Sequence, residues 1–211
     1  MTVAGKGGRP KKTDPDEYDI YWNFEGSPWK SRSAWMGWIR SVLRRAWSRH
    51  PRKVAFVKKH RIKIDNPNPS SAARFPTVWG AQCACCKELV PLSSGKKESG
   101  RKVAQIDHIM PSGSLKNIKD VQGFFERLML ITDDSLRFLC NVCNKDYALA
   151  EKLGISVEQA KCERRAIELQ KTKKDVQFLE SVGVAPGKNA TIRRKQLVEY
   201  FMKEKENVLE K

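Results

Sequence analysis

Leu136-Arg137-Phe138-Leu139-Cys140-Asn141-Val142-Cys143-Asn144 is the stretch on which the reading of this chain turns. Its Cys140/Cys143 pair repeats the spacing of Cys83 and Cys86 in Cys83-Ala84-Cys85-Cys86, and Asp107-His108 lies between the two. A two-residue spacer lets both sulfurs of a pair turn toward one ion, so the two pairs can close a single tetrahedral zinc site. Cys83, Cys86, Cys140 and Cys143 are therefore the expected ligands of one structural zinc. Cys85 cannot pinch that ion as comfortably with Cys83 and is read as a neighbour. Cys162, among charged residues at helical spacing, reads as a spare thiol.

The other polar residues of the segment suit a second metal. Successive strand residues face opposite ways, so Asp107 and His108 act jointly only where their strand bends or ends. There one offers a carboxylate to a metal while the other aims an imidazole at water. The chain has three histidines, and His50 and His60 sit in a basic stretch away from either cysteine pair, which leaves His108 as the candidate base. Asn144, fixed by its cysteine neighbour, offers an amide oxygen suited to Mg²⁺, an ion that takes few protein ligands and keeps waters for the rest. A helix N-cap is the competing role for Asn144.

Working outward, Val78-Trp79 and Glu88 to Leu92 read as strands around the first knuckle, and Lys102 to Ile106 as a strand ending on Asp107-His108. Ser93 to Arg101 reads as a loop. A helix is expected near Val121 to Leu130, an extended stretch within Asp133 to Phe138, and a helix from Asn144 to Lys152. Upstream, Trp35, Trp38, Ile39, Val42, Leu43, Ala46 and Trp47 make one apolar stripe, which predicts a helix over 33–49 capped by Ser33 and stopped by Pro51. Arg40, Arg44, Arg45 and Arg49 lie off the stripe's centre and are candidate DNA-backbone contacts, against a solvated basic edge. Residues 52–64 carry an irregular apolar set, and Asp65 to Ser71 breaks regular structure and reads as a linker or turn near a domain boundary. Downstream, Ser156 caps one expected helix, Asp175 to Val182 forms a second, and Ala190 to Glu206 a third.

These elements compose an α+β protein in four regions. They are a flexible basic tail (1–20), a basic Trp-rich helical DNA-binding region (21–75), a small zinc-stapled ββα core (76–153) and a C-terminal helical region (154–211). The formal charge is +17, and residues 1–79 hold 17 basic and 6 acidic groups, against 11 and 9 in 80–153 and 13 and 9 in 154–211. The electrostatic footprint for a polyanion is thus expected on the N-terminal side of the core. RNA-binding proteins share such charge, so the excess supports a nucleic acid without choosing its kind. Six cysteines without an apolar signal segment argue for reduced thiols, and no run approaches the roughly 18 apolar residues of a membrane span. A soluble intracellular, cytoplasmic protein with no membrane partner is expected. The zinc deaminase pattern of His-x-Glu before Pro-Cys-x-x-Cys is missing, and so is the His-Glu-x-x-His of zincins.

Over residues 78–152 the chain resembles the HNH endonuclease family, whose fold is the ββα-metal motif. The resemblance rests on Cys83-Ala84-Cys85-Cys86, on Gln105-Ile106-Asp107-His108-Ile109-Met110-Pro111, and on Ser135 to Asn144, in the family's order. It implies a phosphodiester hydrolase with His108 as general base and Asp107 and Asn144 holding one catalytic Mg²⁺ or other divalent ion. The implied products carry 5′-phosphate and 3′-hydroxyl ends. Two positions depart from the family pattern. Ser135 stands where a middle Asn usually steadies the loop carrying the base, with Asp133 as a nearby substitute. Tyr147 stands where a Lys is common, leaving Lys145 or Lys152 as phosphate contacts. Sizeable basic flanks around so small a core fit a site-specific enzyme on double-stranded DNA, of phage or intron-encoded homing type. A restriction or packaging nuclease and a non-catalytic zinc-binding nucleic-acid module are the rival readings, with RNA the lesser substrate.

Overall fold

The computed structural model of the protein describes residues 17–92 and 102–209. The expected tail up to residue 16 and the expected loop at 93–101 lie outside the described residues. The fold is α+β, with helices and small sheets. The described residues fall into two compact units, one within Met1–Lys59 and His108–Leu136, the other within His60–Asp107 and Arg137–Lys211.

The first unit opens on a 3-10 turn, Glu17–Tyr21, where a flexible tail to residue 20 was expected. Its main helix, α1, spans Arg32–Ser48. The cap is Ser31 and not Ser33: Ser31 is extended (φ −164°, ψ 157°) and its side chain accepts from the Ala34 N–H, while Ser33 already lies inside the first turn. The buried face is also turned relative to the expected stripe. Trp35, Met36 and Trp47 are buried, whereas Trp38 and Val42 are 50% and 41% exposed. Trp38 packs on Trp29 instead, with ring centroids 5.5 Å apart. α1 ends at Ser48, before Pro51 as expected, and Pro51 also opens a new helix, α2, Pro51–His60. Proline suits a first helical position, where its missing N–H has no intrahelical partner to lose. Helix α4, Asp120–Met129, packs on α1 and buries Phe124 and Leu128.

The second unit holds a three-stranded antiparallel sheet of β1 (Ile62–Asp65), β2 (Thr77–Gln82) and β3 (Leu89–Pro91), in that order. β1 pairs with β2 with Lys63 opposite Trp79 and Ile62 opposite Gly80. The division expected near residue 75 is therefore crossed by a strand pairing. Asp65 to Ser71 is not an interdomain linker but part of the connection between two strands of one sheet, and it contains the short helix α3, Pro69–Ala72. Gly80 is required by close approach, since a Cβ there would meet Ile64 Cδ1 at 2.5 Å and the Val90 carbonyl oxygen at 2.8 Å.

β4 (Ala104–His108) and β5 (Leu136–Cys140) form a second, two-stranded sheet. β5 runs directly into α5, Asn141–Leu153, which ends on Gly154 in the left-handed region (φ 65°). Helices α6 (Val157–Lys171), α7 (Asp175–Ser181) and α8 (Ala190–Leu209) follow, α6 capped by Ser156 as expected. They enclose a core of Cys162, Ala166, Leu179, Leu197, Val198 and Phe201. Cys162 is thus a buried core residue, not a spare thiol among charges: in a helix with charge on most of its surface, the small apolar side chain is the one turned inward.

Asp175 is buried at the start of α7 and accepts from Arg193 Nε at 2.6 Å. That hydrogen bond and the guanidinium charge hold its carboxyl below the ordinary range. A carboxylate with a depressed folded-state pKa contributes stability that is complete above its unfolded value, near 3.9, and is lost as pH falls through the lower folded value. Asp175→Asn is accordingly expected to lower the thermal midpoint at neutral pH and to flatten the fall in stability below about pH 4. Thermal melts of both proteins across that range check this, and parallel acid profiles would contradict it.

Candidate active site and metal centre

The four paired cysteines meet within the second unit. Cys83 and Cys86 come from the turn between β2 and β3, Cys140 from the end of β5, and Cys143 from the first turn of α5. The turn is closed by Cys83 N–H to Glu88 O (2.9 Å) and Lys87 N–H to Cys83 O (3.0 Å), and is tied to β5 by Ala84 N–H to Phe138 O (2.8 Å). Lys87 takes a positive φ of 62°, which lets the chain turn back under the sulfurs. Cys140 is also the N-cap of α5, its sulfur accepting from the Cys143 N–H at 3.3 Å, and Cys83 Sγ accepts from the Cys140 N–H at 3.2 Å. Asn144 is therefore not the cap.

All four sulfurs lie within 4.8 Å of one another, and Cys86 and Cys140 are 4.0 Å apart. Tetrahedral Zn–S bonds near 2.3 Å place sulfurs about 3.8 Å apart, so the cluster fits one ion such as zinc. Its protonation behaviour agrees. Burial pushes the Cys83 thiol up, but backbone N–H groups of Cys140, Cys86 and Cys85 outweigh it and bring it down to about 7. Burial raises Cys86 and Cys143. Four crowded thiols cannot all ionise together unless a cation neutralises them.

A polar cluster lies beside this centre in the same unit. Gln105 and Asp107 share one face of β4. Asp107 Oδ2 accepts from Arg137 Nε of β5 at 2.8 Å, and the guanidinium Nη2 lies 2.8 Å from the same oxygen as an ion pair. The Arg137 guanidinium in turn lies 4.0 Å from the ring centroid of Tyr147 on α5. One helical turn earlier, Asn144 Nδ2 donates to Gln105 Oε1 at 2.7 Å, which turns its amide oxygen the other way. Asp107 and Asn144 thus offer oxygens on neighbouring elements, while Arg137 already neutralises Asp107. Neither Gln105 nor Arg137 was expected to play a part. The alternation of β4 points to Gln105, but Arg137 depends on strand pairing, which no local pattern shows.

His108 belongs to the first unit, where its ring packs on Trp47 with centroids 4.5 Å apart. Its Nε2 lies 3.2 Å from the Leu128 carbonyl oxygen. A carbonyl only accepts, so Nε2 carries a proton in that bond, and in the neutral ring the basic lone pair is on Nδ1. Lys53 Nζ stands 5.5 Å from the same indole, and burial lowers its pKa. Ser135 supports this loop through its backbone: its carbonyl accepts from the Ile109 N–H at 2.9 Å, while its hydroxyl turns to Thr132. Asp133, the other residue considered for that role, accepts from Lys59 Nζ at 2.9 Å.

The chain matches no protein-family model, no curated protein and no solved structure. The site is thus read from its own geometry.

The expected basic contacts divide. Arg40 is half-buried and tied within its unit, Nη2 donating to the Leu115 carbonyl at 2.7 Å. Arg44 and Arg45 are exposed on α1, Arg49 is exposed at its C-cap, and Lys145 is exposed on α5. Among the described residues no helix is long and apolar enough to cross a membrane.

Proposed function

We propose that the chain is a metal-dependent endonuclease of the HNH type, hydrolysing phosphodiester bonds in double-stranded DNA. The observation that carries this reading is the state of His108. Its ring is buttressed by Trp47 and its Nε2–H is engaged by Leu128 O, which assigns the basic lone pair to Nδ1. It directly follows Asp107 and is the last residue of β4. A histidine held this way suits the removal of a proton from an attacking water. Asp107 and Asn144 would hold a divalent cation through oxygen donors; such an ion, when bound, stabilises the charge that develops on the phosphate and the leaving oxygen. Arg137, stacked on Tyr147 beside Asp107, supplies a fixed positive charge on the same face. The cysteine cluster does no chemistry in this account: with zinc bound it fixes the end of β5 and the start of α5, and hence Arg137, Asn144 and Tyr147.

The substrate class follows from charge. An excess of 17 positive charges favours a polyanion, with Arg40, Arg44, Arg45, Arg49 and Lys145 as backbone contacts. The basic flanks fit a site-specific, homing or phage-type enzyme acting inside a cell, with a restriction or packaging nuclease as the nearest relative in role.

A second reading, a non-catalytic zinc-binding nucleic-acid module, is favoured by the Arg137–Asp107 pair, which leaves the carboxylate already neutralised without a metal. Cleavage of plasmid DNA in Mg²⁺ by the zinc-loaded chain separates the two.

A further inference from the structure

A feature of the second unit outside the cysteine cluster combines an exposed ring with unpaired positive charge. Trp79 lies on β2 and is 40% exposed, although large aromatic side chains are ordinarily the first to be covered. Its register partner across the sheet is Lys63, whose Nζ sits 4.5 Å from the ring centroid. Arg61, just before β1, places its guanidinium carbon 4.0 Å from the same centroid. Neither cation has an ion pair with a carboxylate among the described residues. In the connection between β1 and β2, Arg74 lies 5.3 Å from the ring of Phe75, itself 53% exposed. The one acidic group that alternation places on the Trp79 face of β1 is Asp65.

We propose that Trp79, with Arg61 and Lys63, is a stacking platform for an unpaired base of single-stranded DNA. An indole offers a flat surface on which any base can stack, and Arg61 and Lys63, which lie over the ring in this structure, are placed to turn to the flanking phosphates as a base takes the face. Charge complementarity selects the occupant. A protein or peptide partner for an exposed tryptophan would need no pair of cations at the ring, and a duplex hides its base faces in the stack. The sheet also holds the platform rigidly, because β1 and β2 pair in register at Lys63 and Trp79. This inference rests on the proposed nucleic-acid partner but not on catalysis: it places a strand with an opened or frayed base on the sheet that carries the first cysteine pair.

The test uses the full zinc-loaded chain without added divalent metal, so that binding is read without cleavage. Fluorescence anisotropy follows a labelled oligo-dT of about 12 nucleotides and a duplex of equal length. Trp79→Ala is expected to weaken single-strand binding about tenfold and leave duplex binding within about twofold, while Trp79→Phe stays within about threefold of the wild type. Lys63→Gln is expected to reduce the dependence of single-strand affinity on salt by about 0.7 in log–log slope. Zinc content and far-UV circular dichroism of the variants report their folding, and Trp79→Phe keeps an aromatic ring if alanine disturbs the sheet. Unchanged single-strand affinity in Trp79→Ala, an equal loss for both DNAs, or no single-strand binding by the wild type overturns the proposal. A chain that binds single strands through Trp79 yet never cuts keeps this proposal and loses the nuclease reading.

Discussion

His108→Ala is expected to lower the rate of DNA cleavage about 10²- to 10⁴-fold while zinc content and duplex binding stay near wild type. The magnitude is that of removing a positioned general base. The substitution also deletes a ring packed on Trp47 and leaves the Leu128 carbonyl without this donor, which costs about 1–2 kcal/mol of stability in its unit. That loss does not by itself unfold a domain of ordinary stability. His108→Gln keeps an N–H donor without a comparable base and serves as the control. Single-turnover cleavage, zinc assay and duplex binding on the three proteins separate chemistry from folding. Retained cleavage in His108→Ala removes the base from His108; lost zinc or lost binding in both variants makes its role structural.

The second large effect concerns the cysteine cluster. Cys140 is buried at the junction of β5 and α5, and its sulfur accepts the N–H of Cys143 as a helix cap. Cys140→Ser is expected to abolish stoichiometric zinc binding and the cooperative thermal transition of the second unit. Structural zinc in small sites contributes about 10–16 kcal/mol of apparent binding free energy, as much as the whole stability of a typical domain. Chelation of the wild type should reproduce the effect. Cys85→Ser and Cys162→Ser should each retain one zinc, because neither belongs to the four-sulfur cluster. Chromogenic zinc release and calorimetry on these variants test the assignment; a Cys140→Ser protein that still binds one zinc and melts as the wild type contradicts it.

Much of the local structure was legible in the sequence, because it depends on neighbours along the chain. The two Cys-x-x-Cys pairs predicted the sulfur cluster, Ser156 predicted the cap of α6, and β4 ends on Asp107-His108 as read. What failed depends on tertiary packing. Helical spacing made Trp38 look like core, but Met36 fills the interior and Trp38 meets Trp29 outside it. Pro51 was read only as a stop; α1 does end before it, but the same ring also starts α2. The boundary drawn before residue 76 followed the composition of Asp65 to Ser71, which cannot reveal that β1 returns to pair with β2. Within the candidate site, Asp107 and Asn144 stood out by residue type. Arg137 did not, since its bond to Asp107 and its stack on Tyr147 join three separate elements.

Conversion of supercoiled plasmid by the zinc-loaded chain, with and without Mg²⁺, tests the nuclease reading most directly. The account predicts nicked or linear product only with the divalent ion, ends carrying 5′-phosphate, and loss of product in His108→Ala prepared alongside. Plasmid that stays supercoiled in Mg²⁺ and in Mn²⁺, with a chain that holds one zinc and binds the DNA, would contradict it and leave a zinc-stapled binding module.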